Sequence, residues 1–276
     1  MKKLSIILII LMVSISCASN KTAKTSDERK ANLYYTQGTQ NLLDAQYTNA
    51  LKNLLESYKY RPNDTKTLNN LGMAYYFKKS IGNAKNYIKK SLEVDPKNSD
   101  ARMNLANIYM EQGNFTAAEA EYKTISQDLL FPSQFKTYHN LAKLEQKRKN
   151  VPMVKRYLAK SIEANENYCP AYFDLATIEM EEGQFAKAEK NFKQASMGLC
   201  FKKPEPRFLR AKALVQMNQY FEATQILEEM TETFAMTKWE QIARRGIDKI
   251  KKAHNKKVLN TLEAKNTKET ILSPDF

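Results

Sequence analysis

Apolar and small residues recur along this chain at helical spacing, and little of the sequence alternates in the manner of a half-buried strand. A Gly or Ala is followed twelve residues later by a second small or apolar residue, and this pair returns every 34 to 36 residues. Small side chains at facing positions allow two antiparallel helices to cross closely. The pattern therefore predicts an all-α chain of repeated helical hairpins. The pairs are Gly38/Ala50, Gly72/Ala84, Ala106/Ala118, Ala142/Val154, Ala176/Ala188 and Ala211/Ala223.

These repeats resemble the tetratricopeptide repeat (TPR). An aromatic residue opens the second helix of four repeats, at Tyr47, Phe115, Phe185 and Tyr220. Gly113 and Gly183 fall between the two helices, where a left-handed residue helps to end the first. The resemblance implies a right-handed TPR solenoid of six helix-turn-helix repeats over residues 31–236. The predicted repeat starts are near residues 31, 65, 99, 135, 169 and 204.

The chain after the sixth repeat divides into two segments. Residues 237–252 carry Trp239, Ala243, Ile247 and Ile250 at helical spacing, which predicts a C-terminal helix. A solenoid needs its last apolar face covered, so we expect this helix to be a cap. Residues 253–276 are basic and rich in Asn and Thr, and we expect them to be disordered.

The first residues have the features of a secretory leader. Lys2 and Lys3 precede a short apolar stretch, and small residues lead to Cys17. The stretch before Cys17 resembles a lipoprotein signal, although Ser14 stands where such signals usually carry Leu. The resemblance implies that residues 1–16 are removed, that Cys17 is lipidated and that residues 17–30 form a flexible tether. The alternative is an ordinary signal peptide with an incidental cysteine.

Two further features bear on location and partner class. Ala18 follows Cys17 where an Asp would favour the inner membrane, so the resemblance implies a lipid-anchored outer-membrane protein that faces the periplasm. The formal charge is +14, but the lysines are scattered and no short element interleaves basic and aromatic residues. We therefore expect no nucleic-acid partner.

Two cysteines remain once Cys17 is assigned to lipid. Cys169 lies at the predicted start of the fifth repeat, and Cys200 follows the second helix of that repeat. The two ends are neighbours in an antiparallel hairpin, and the periplasm is oxidising, so we expect a disulfide. The alternative is a pair of half-buried free thiols.

Catalytic and metal-binding patterns are missing from the sequence. It has two histidines, His139 and His254, and neither is spaced with Cys, His or carboxylate residues as a metal site requires. It has no Gly-rich phosphate loop. We expect no enzyme activity, no metal, no cofactor and no small-molecule substrate; the chain is interpreted as a protein-binding scaffold.

A binding groove is implied by the TPR resemblance, in which the first helix of each repeat lines the concave face. The implied groove is rich in Met and aromatic residues, which suit an adaptable protein-binding surface. The alternative is that some of these residues pack as ordinary core. The candidates are Tyr35, Asn69, Asn70, Met73, Tyr76, Met103, Asn104, Asn107, Met110, His139, Asn140, Phe173, Met180 and Phe208.

Asn70, Asn104 and Asn140 share the sixth position of their repeats. A side-chain amide carries both a donor and an acceptor, so such a ladder can pair with the backbone of any extended peptide. This arrangement resembles the peptide-holding asparagines of some TPR grooves. The alternative is that the asparagines simply follow the repeat pattern.

The lipid cysteine, the short tether and the six hairpins together resemble the pilotins of the type IV pilus machine, called PilF, PilW or Tgl. The segments Leu129-Leu130-Phe131-Pro132 and Tyr138-His139-Asn140-Leu141-Ala142 also resemble a linker of that family. The implied partner is a secretin, the ring-shaped outer-membrane pore, and the implied function is to help the secretin reach the membrane and oligomerise. The alternative is a lipoprotein scaffold that recruits peptidoglycan-processing or other envelope-assembly proteins.

Overall fold

The computed structural model describes residues 26–272, and side chains as far as residue 255. The described chain is α-helical, with one short 3₁₀ turn and no β-strand. Helix α1 is present from residue 26 to residue 43. The helices that follow are α2 (Tyr47–Tyr60), α3 (Thr65–Phe77), α4 (Ile81–Val94), α5 (Ser99–Glu111), α6 (Phe115–Ser126), α7 (Gln134–Lys147), α8 (Val151–Ala164), α9 (Cys169–Glu181), α10 (Phe185–Ala195), α11 (Pro204–Gln216), α12 (Tyr220–Thr233) and α13 (Lys238–Leu272).

The helices pair as antiparallel hairpins, so the all-α TPR fold is confirmed. The first helices of the second to sixth hairpins begin at or within one residue of the predicted repeat starts. The chain divides into two compact units, at Pro132. We call their described parts the N-terminal unit (residues 26–132) and the C-terminal unit (residues 133–272).

The N-terminal unit contains the hairpins α1/α2, α3/α4 and α5/α6. Its second hairpin shows why small residues are needed where helices cross. A Cβ atom placed on Gly72 would lie 2.4 Å from Ile88 Cγ1 and 3.0 Å from the Ala84 carbonyl oxygen. Ile88 is fully buried, so the close approach of α3 and α4 depends on glycine at this position.

The C-terminal unit contains the hairpins α7/α8, α9/α10 and α11/α12, followed by α13. Ala243 and Ile250 of α13 are buried against Leu227 and Met230 of α12, with Trp239 and Ile247 packed beside them. Helix α13 therefore covers the apolar face of the last hairpin, which otherwise would face water.

Each hairpin turns through one residue in the left-handed conformation. Gly113 and Gly183 occupy this position in the third and fifth hairpins, with φ of 72° and 74°. Residues with side chains take the same conformation in the other four hairpins, at Ala45, Lys79, Lys149 and Asn218. The turn geometry is thus the same in all six hairpins, although only two of them have glycine, the residue that adopts the left-handed conformation at the lowest free-energy cost.

Two predicted boundaries are wrong. Residues 26–30 are helical, although they were assigned to the flexible tether, because α1 begins before the first repeat position. Helix α13 continues to Leu272, although residues beyond 252 were expected to be disordered. The sequence has no Gly or Pro between Gly246 and Pro274, and Ala, Leu, Lys and Glu favour helix propagation.

The leader (residues 1–16), Cys17, the first part of the tether and residues 273–276 lie outside the described residues. Among residues 26–272, none of the helices is both long enough and apolar enough to cross a bilayer.

Candidate protein-binding surface

The predicted groove residues of the N-terminal unit lie along α1, α3 and α5. Tyr35, Met73, Tyr76 and Met110 are half-buried, so each presents only part of its side chain to solvent. Tyr35 packs against the cluster around Leu54 and Leu71, while Met73 and Tyr76 pack against the cluster around Ile88. These side chains are therefore both the edge of the core and a surface that a partner could contact.

The asparagines of this unit are hydrogen-bonded to other side chains, in two cases across neighbouring hairpins. Asn104 Nδ2 donates to Asn69 Oδ1 over 2.9 Å, and Asn70 Nδ2 donates to Thr39 Oγ1 over 3.0 Å. Asn107 is exposed and accepts a 2.6 Å hydrogen bond from the Tyr122 hydroxyl. A peptide could bind these amides only by displacing or sharing bonds that already connect the helices.

Tyr76 joins the second hairpin to the third. Its hydroxyl donates to the Glu111 carboxylate at the end of α5. Burial and this hydrogen bond raise the pKa of Tyr76 to about 12, because both disfavour the phenolate beside a carboxylate.

Met103 was expected to be exposed in the groove, and this expectation is wrong. Only 9% of its surface is accessible, so its side chain is buried and not open to a partner. The fifth position of a TPR-like repeat is therefore not a reliable indication of exposure in this chain.

The C-terminal unit has a concave pocket of about 540 Å³ between its hairpins. Apolar side chains and the two cysteines form its floor, and charged side chains stand at its rim. A pocket of this size with an apolar floor and a few charged groups could hold one or two side chains of a partner segment. It is lined by His139, Lys143, Cys169, Pro170, Phe173, Asp174, Ala195, Cys200, Lys203, Glu205 and Pro206.

His139 is held in one wall of the pocket. Its Nε2 lies 2.8 Å from Asp174 Oδ2, and its Nδ1 lies 3.1 Å from the Tyr168 hydroxyl. Only 4% of the residue is exposed, so His139 was wrongly expected to be a wet groove residue. Both ring nitrogens are occupied by neighbours, and the half-buried Asp174 carboxylate is the part of this group that a partner can reach.

A disulfide joins Cys169 at the start of α9 to Cys200 before α11, with a Cα–Cα distance of 6.2 Å. Both cysteines line the pocket, and the bond ties the two ends of the fifth hairpin together. Phe173, one turn along α9, is half-buried and meets Phe192 of α10 at a ring-centroid distance of 5.9 Å. The pocket floor is thus fixed by a covalent bond and an aromatic contact.

The other candidates of this unit lie at the edge of the core. Asn140 is half-buried, Met180 packs against the cluster around Phe192, and Phe208 meets Trp239 at 5.9 Å. His139 and Phe173 line the pocket, whereas Asn140, Met180 and Phe208 do not.

Seven pocket residues were not among the candidates: Lys143, Pro170, Asp174, Ala195, Lys203, Glu205 and Pro206. Glu205 and Pro170 share the second position of a repeat, which in TPR proteins faces the same groove as the fifth. Reading the second position along with the fifth could have found both. Lys203 lies in the longer connection between α10 and α11, and the regular repeat spacing does not predict the position of residues in that connection.

Metal ions have no evident site in the part of the chain that the structure describes. No cluster of three or more His, Cys, Asp or Glu residues is arranged there to hold a metal.

Comparison of the sequence with known proteins gives two matches. A tetratricopeptide-repeat family model matches residues 78–137. The type IV pilus assembly protein PilF of Pseudomonas aeruginosa is 22% identical over 185 residues, an alignment that covers 55% of this chain and 73% of PilF.

Two solved structures are similar in fold. The P. aeruginosa PilF structure superposes with a TM-score of 0.66 at 16% identity and covers 80% of this chain and 99% of its own. The structure of PilW, described as a widely conserved type IV pilus biogenesis factor, gives 0.62 at 16% identity, with 77% and 97% covered.

The hairpin fold and the repeat register are those of a tetratricopeptide-repeat solenoid, and the tetratricopeptide-repeat family model matches part of this array. Among proteins of that class, it resembles the TPR proteins of type IV pilus assembly.

Proposed function

We propose that this chain is a type IV pilus biogenesis factor that binds the secretin and assists its localisation and oligomerisation in the outer membrane. The observation that carries the proposal is the similarity to PilF, which extends over 73% of that protein's length. The fold agrees over nearly all of PilF, so the similarity involves the whole array of hairpins and not a single repeat.

The pocket of the C-terminal unit is the proposed contact site for a segment of the secretin. Phe173 supplies an apolar floor, and Lys143 at the rim can pair with an acidic group beside the inserted side chain. Side chains anchored in such pockets carry much of the affinity in protein interfaces, and charges at the rim mainly guide association and register.

The proposal includes a lipid anchor at Cys17 and an outer-membrane location that faces the periplasm. Both rest on the resemblance of the leader to a lipoprotein signal. An anchored scaffold raises the effective concentration of its partner at the membrane surface where the partner must assemble.

The central experiment is capture of partners from detergent-solubilised envelopes by the full lipidated chain, followed by mass spectrometry. The test variant is Phe173→Ala/Lys143→Glu, which removes the apolar floor and reverses a rim charge. The matched control is Tyr172→Ala/Lys187→Glu, because Tyr172 also lies on α9 and Lys187 on α10, and neither lines the pocket. We expect the parent and the control to capture the secretin and the test variant to lose it.

Other outcomes of this experiment are equally informative. Equal capture by both variants would place the contact outside the pocket. Capture of peptidoglycan-processing enzymes in place of a secretin would support the alternative scaffold function. The secretin itself is followed on native gels, where deletion of the chain should leave it monomeric.

The anchor is tested separately with Cys17→Ser. We expect the parent to incorporate labelled palmitate and to fractionate with outer membranes, and we expect the variant to do neither. A parent that stays unlabelled, or that fractionates with inner membranes, would contradict this part of the proposal and leave the secretin contact open to its own test.

A further inference from the structure

Four large apolar side chains project from two short turns of the C-terminal unit. Leu199 is 97% exposed and Met236 is 99% exposed, while Met197 and Phe201 are more than half exposed. The first turn connects α10 to α11 through the 3₁₀ helix Gly198–Cys200, and the second connects α12 to α13. Single exposed apolar residues are common, but four within two turns form a patch of the kind that marks a binding surface. We call this patch the apolar edge.

Arg207 holds the two turns together. Its guanidinium lies 4.4 Å from the ring centroid of Phe201 in the first turn and 5.5 Å from that of Phe234 beside the second. Arg207 Nη1 also donates to the carbonyl oxygen of Phe201. The two turns are therefore neighbours on one side of the unit, and their exposed side chains form one surface.

The conformation of the first turn keeps its apolar side chains outward. Cys200 is buried by its disulfide with Cys169, whereas the adjacent Leu199 and Phe201 face solvent. In the second turn, the backbone N–H of Met236 donates to Glu240 Oε2 over 2.7 Å. Both turns are thus fixed by contacts that leave the apolar groups in water.

Basic residues flank the apolar edge. Between residues 193 and 207, Lys193, Lys202, Lys203 and Arg207 outnumber the single acidic residue, Glu205. Near the second turn, exposed Lys238 stands against Glu232 and Glu240, and Glu240 is engaged by Arg244 at 3.0 Å. Glu229 also faces Arg207, so the positive charge beside the apolar edge is carried by Lys193, Lys202 and Lys203 in and next to the first turn.

We propose that the apolar edge inserts into the interface of an anionic lipid bilayer. Exposed Leu, Met and Phe side chains enter the boundary between headgroups and acyl chains, and nearby lysines attract anionic headgroups. A stable protein interface needs about 800 Å² on each partner with a complementary shape. Four separate side chains on two turns form no groove or broad face, whereas a fluid bilayer accepts them without shape complementarity.

The test places a fluorescent probe in the apolar edge of the full chain. Trp239 is the only tryptophan, so a Trp239→Phe background removes the native signal. Leu199→Trp then reports on the apolar edge. Phe221→Trp is the matched control. Phe221 is also strongly exposed, but it lies at the start of α12, whereas the second turn follows the end of that helix, about 18 Å away at 1.5 Å per residue. Each protein is reconstituted with vesicles of phosphatidylglycerol and phosphatidylcholine and separated by flotation.

We expect the Leu199→Trp emission to shift to shorter wavelength and to be quenched by brominated acyl chains, and the Phe221→Trp emission to remain that of a solvated indole. Lys202→Gln/Lys238→Gln should weaken the lipid contact by about fivefold per removed charge at low salt. Pure phosphatidylcholine vesicles should give much less quenching than the anionic mixture.

Each remaining outcome overturns the inference. If the chain floats but neither probe is quenched, only the lipid anchor holds it, and the apolar edge faces water or a protein. If the chain does not float with anionic vesicles, the apolar edge and the proposed anchor both fail. Equal quenching at both positions would indicate nonspecific adsorption. The inference does not depend on the secretin contact, which is measured independently.

Discussion

In both units of this protein, side chains at the same repeat positions join neighbouring hairpins, but the chemistry of those side chains differs. In the N-terminal unit, the fifth position of one repeat and the sixth position of the next form a neutral amide pair, Asn69 and Asn104. In the C-terminal unit, the equivalent positions are His139 and Asp174, an imidazole and a carboxylate. The repeat geometry brings the same two positions together at both junctions, and the side chains placed there determine the chemistry of the contact.

The two units also differ in the residues at the starts of their helices. Asp64, Asn98 and Asn114 accept hydrogen bonds from backbone N–H groups at the starts of α3, α5 and α6. Helices α7–α12 have no such side-chain cap, but α8, α9 and α11 carry proline in their first turn. Caps stabilise the native state, whereas prolines and disulfides act largely by restricting the unfolded chain. The C-terminal unit therefore depends more on restraint of the unfolded state.

The largest expected effect comes from the disulfide. We expect Cys169→Ala/Cys200→Ala to lower the unfolding free energy of the C-terminal unit by roughly 3 to 4 kcal/mol, because the bond closes a loop with a sequence separation of 31. Hydrogen exchange monitored by mass spectrometry reports on each unit separately. Amides of α9–α11 should exchange faster, and those of α3–α5 should not change.

Reductant added to the parent protein serves as the control for this variant. It should reproduce the faster exchange of α9–α11 and should have no further effect on the double variant. If both units lose protection equally, stability is shared between them and the contrast drawn above is wrong.

The helix crossings provide the next test. We expect Gly72→Ala to destabilise the N-terminal unit by about 1 to 3 kcal/mol, because the added methyl group would overlap buried Ile88. The reverse change at the matching position, Ala176→Gly, should cost the C-terminal unit about 1 kcal/mol through helix propensity. Urea titration followed by circular dichroism measures both. A neutral Gly72→Ala would mean that α4 can move away from α3 freely.

The paired junctions can be broken one partner at a time. We expect Asp174→Ala to cost about 1 to 3 kcal/mol, because His139 is buried and would lose the partner of its Nε2 atom. Asn69→Ala should cost only about 0.5 to 1.5 kcal/mol, since half-buried Asn104 can donate to water. Equal losses in urea titrations would show that burial, and not the type of pair, determines the contribution.

The sequence predicted well those features that depend on spacing along one chain. The interval between small residues indicated the helical hairpins, and the apolar face of residues 237–252 indicated the helix that packs on α12. Features that depend on neighbours in space were harder to predict. The burial of His139 requires Tyr168 and Asp174 of the next hairpin, and the burial of Met103 depends on packing that repeat spacing does not indicate.

Helix ends and irregular connections also limited the prediction. Helix α13 passes residue 252 because the segment has no strong stop signal, and a polar composition alone did not distinguish an exposed helix from disorder. The pocket residue Lys203 and the apolar edge lie in connections whose lengths vary between repeats. Their surroundings depend on a disulfide and on Arg207, and repeat spacing does not indicate either contact.

The smallest expected effect is the difference in stability cost between removing a helix cap and replacing the residue at an uncapped helix start. Asn114 and Gln184 occupy the same place in the sequences Gly-Asn-Phe and Gly-Gln-Phe, directly before α6 and α10. Asn114 Oδ1 accepts from the Ala117 N–H over 3.2 Å, whereas Gln184 donates to Glu182 and leaves the start of α10 uncapped by its side chain. We expect Asn114→Ala to cost about 1 kcal/mol and Gln184→Ala less than about 0.5 kcal/mol. Urea midpoints and the exchange rates of the first amides of α6 and α10 measure the difference. Asn114→Asp should retain most of the stability because its carboxylate can also cap the helix, and a cost as large as that of Asn114→Ala would show that the cap contributes nothing.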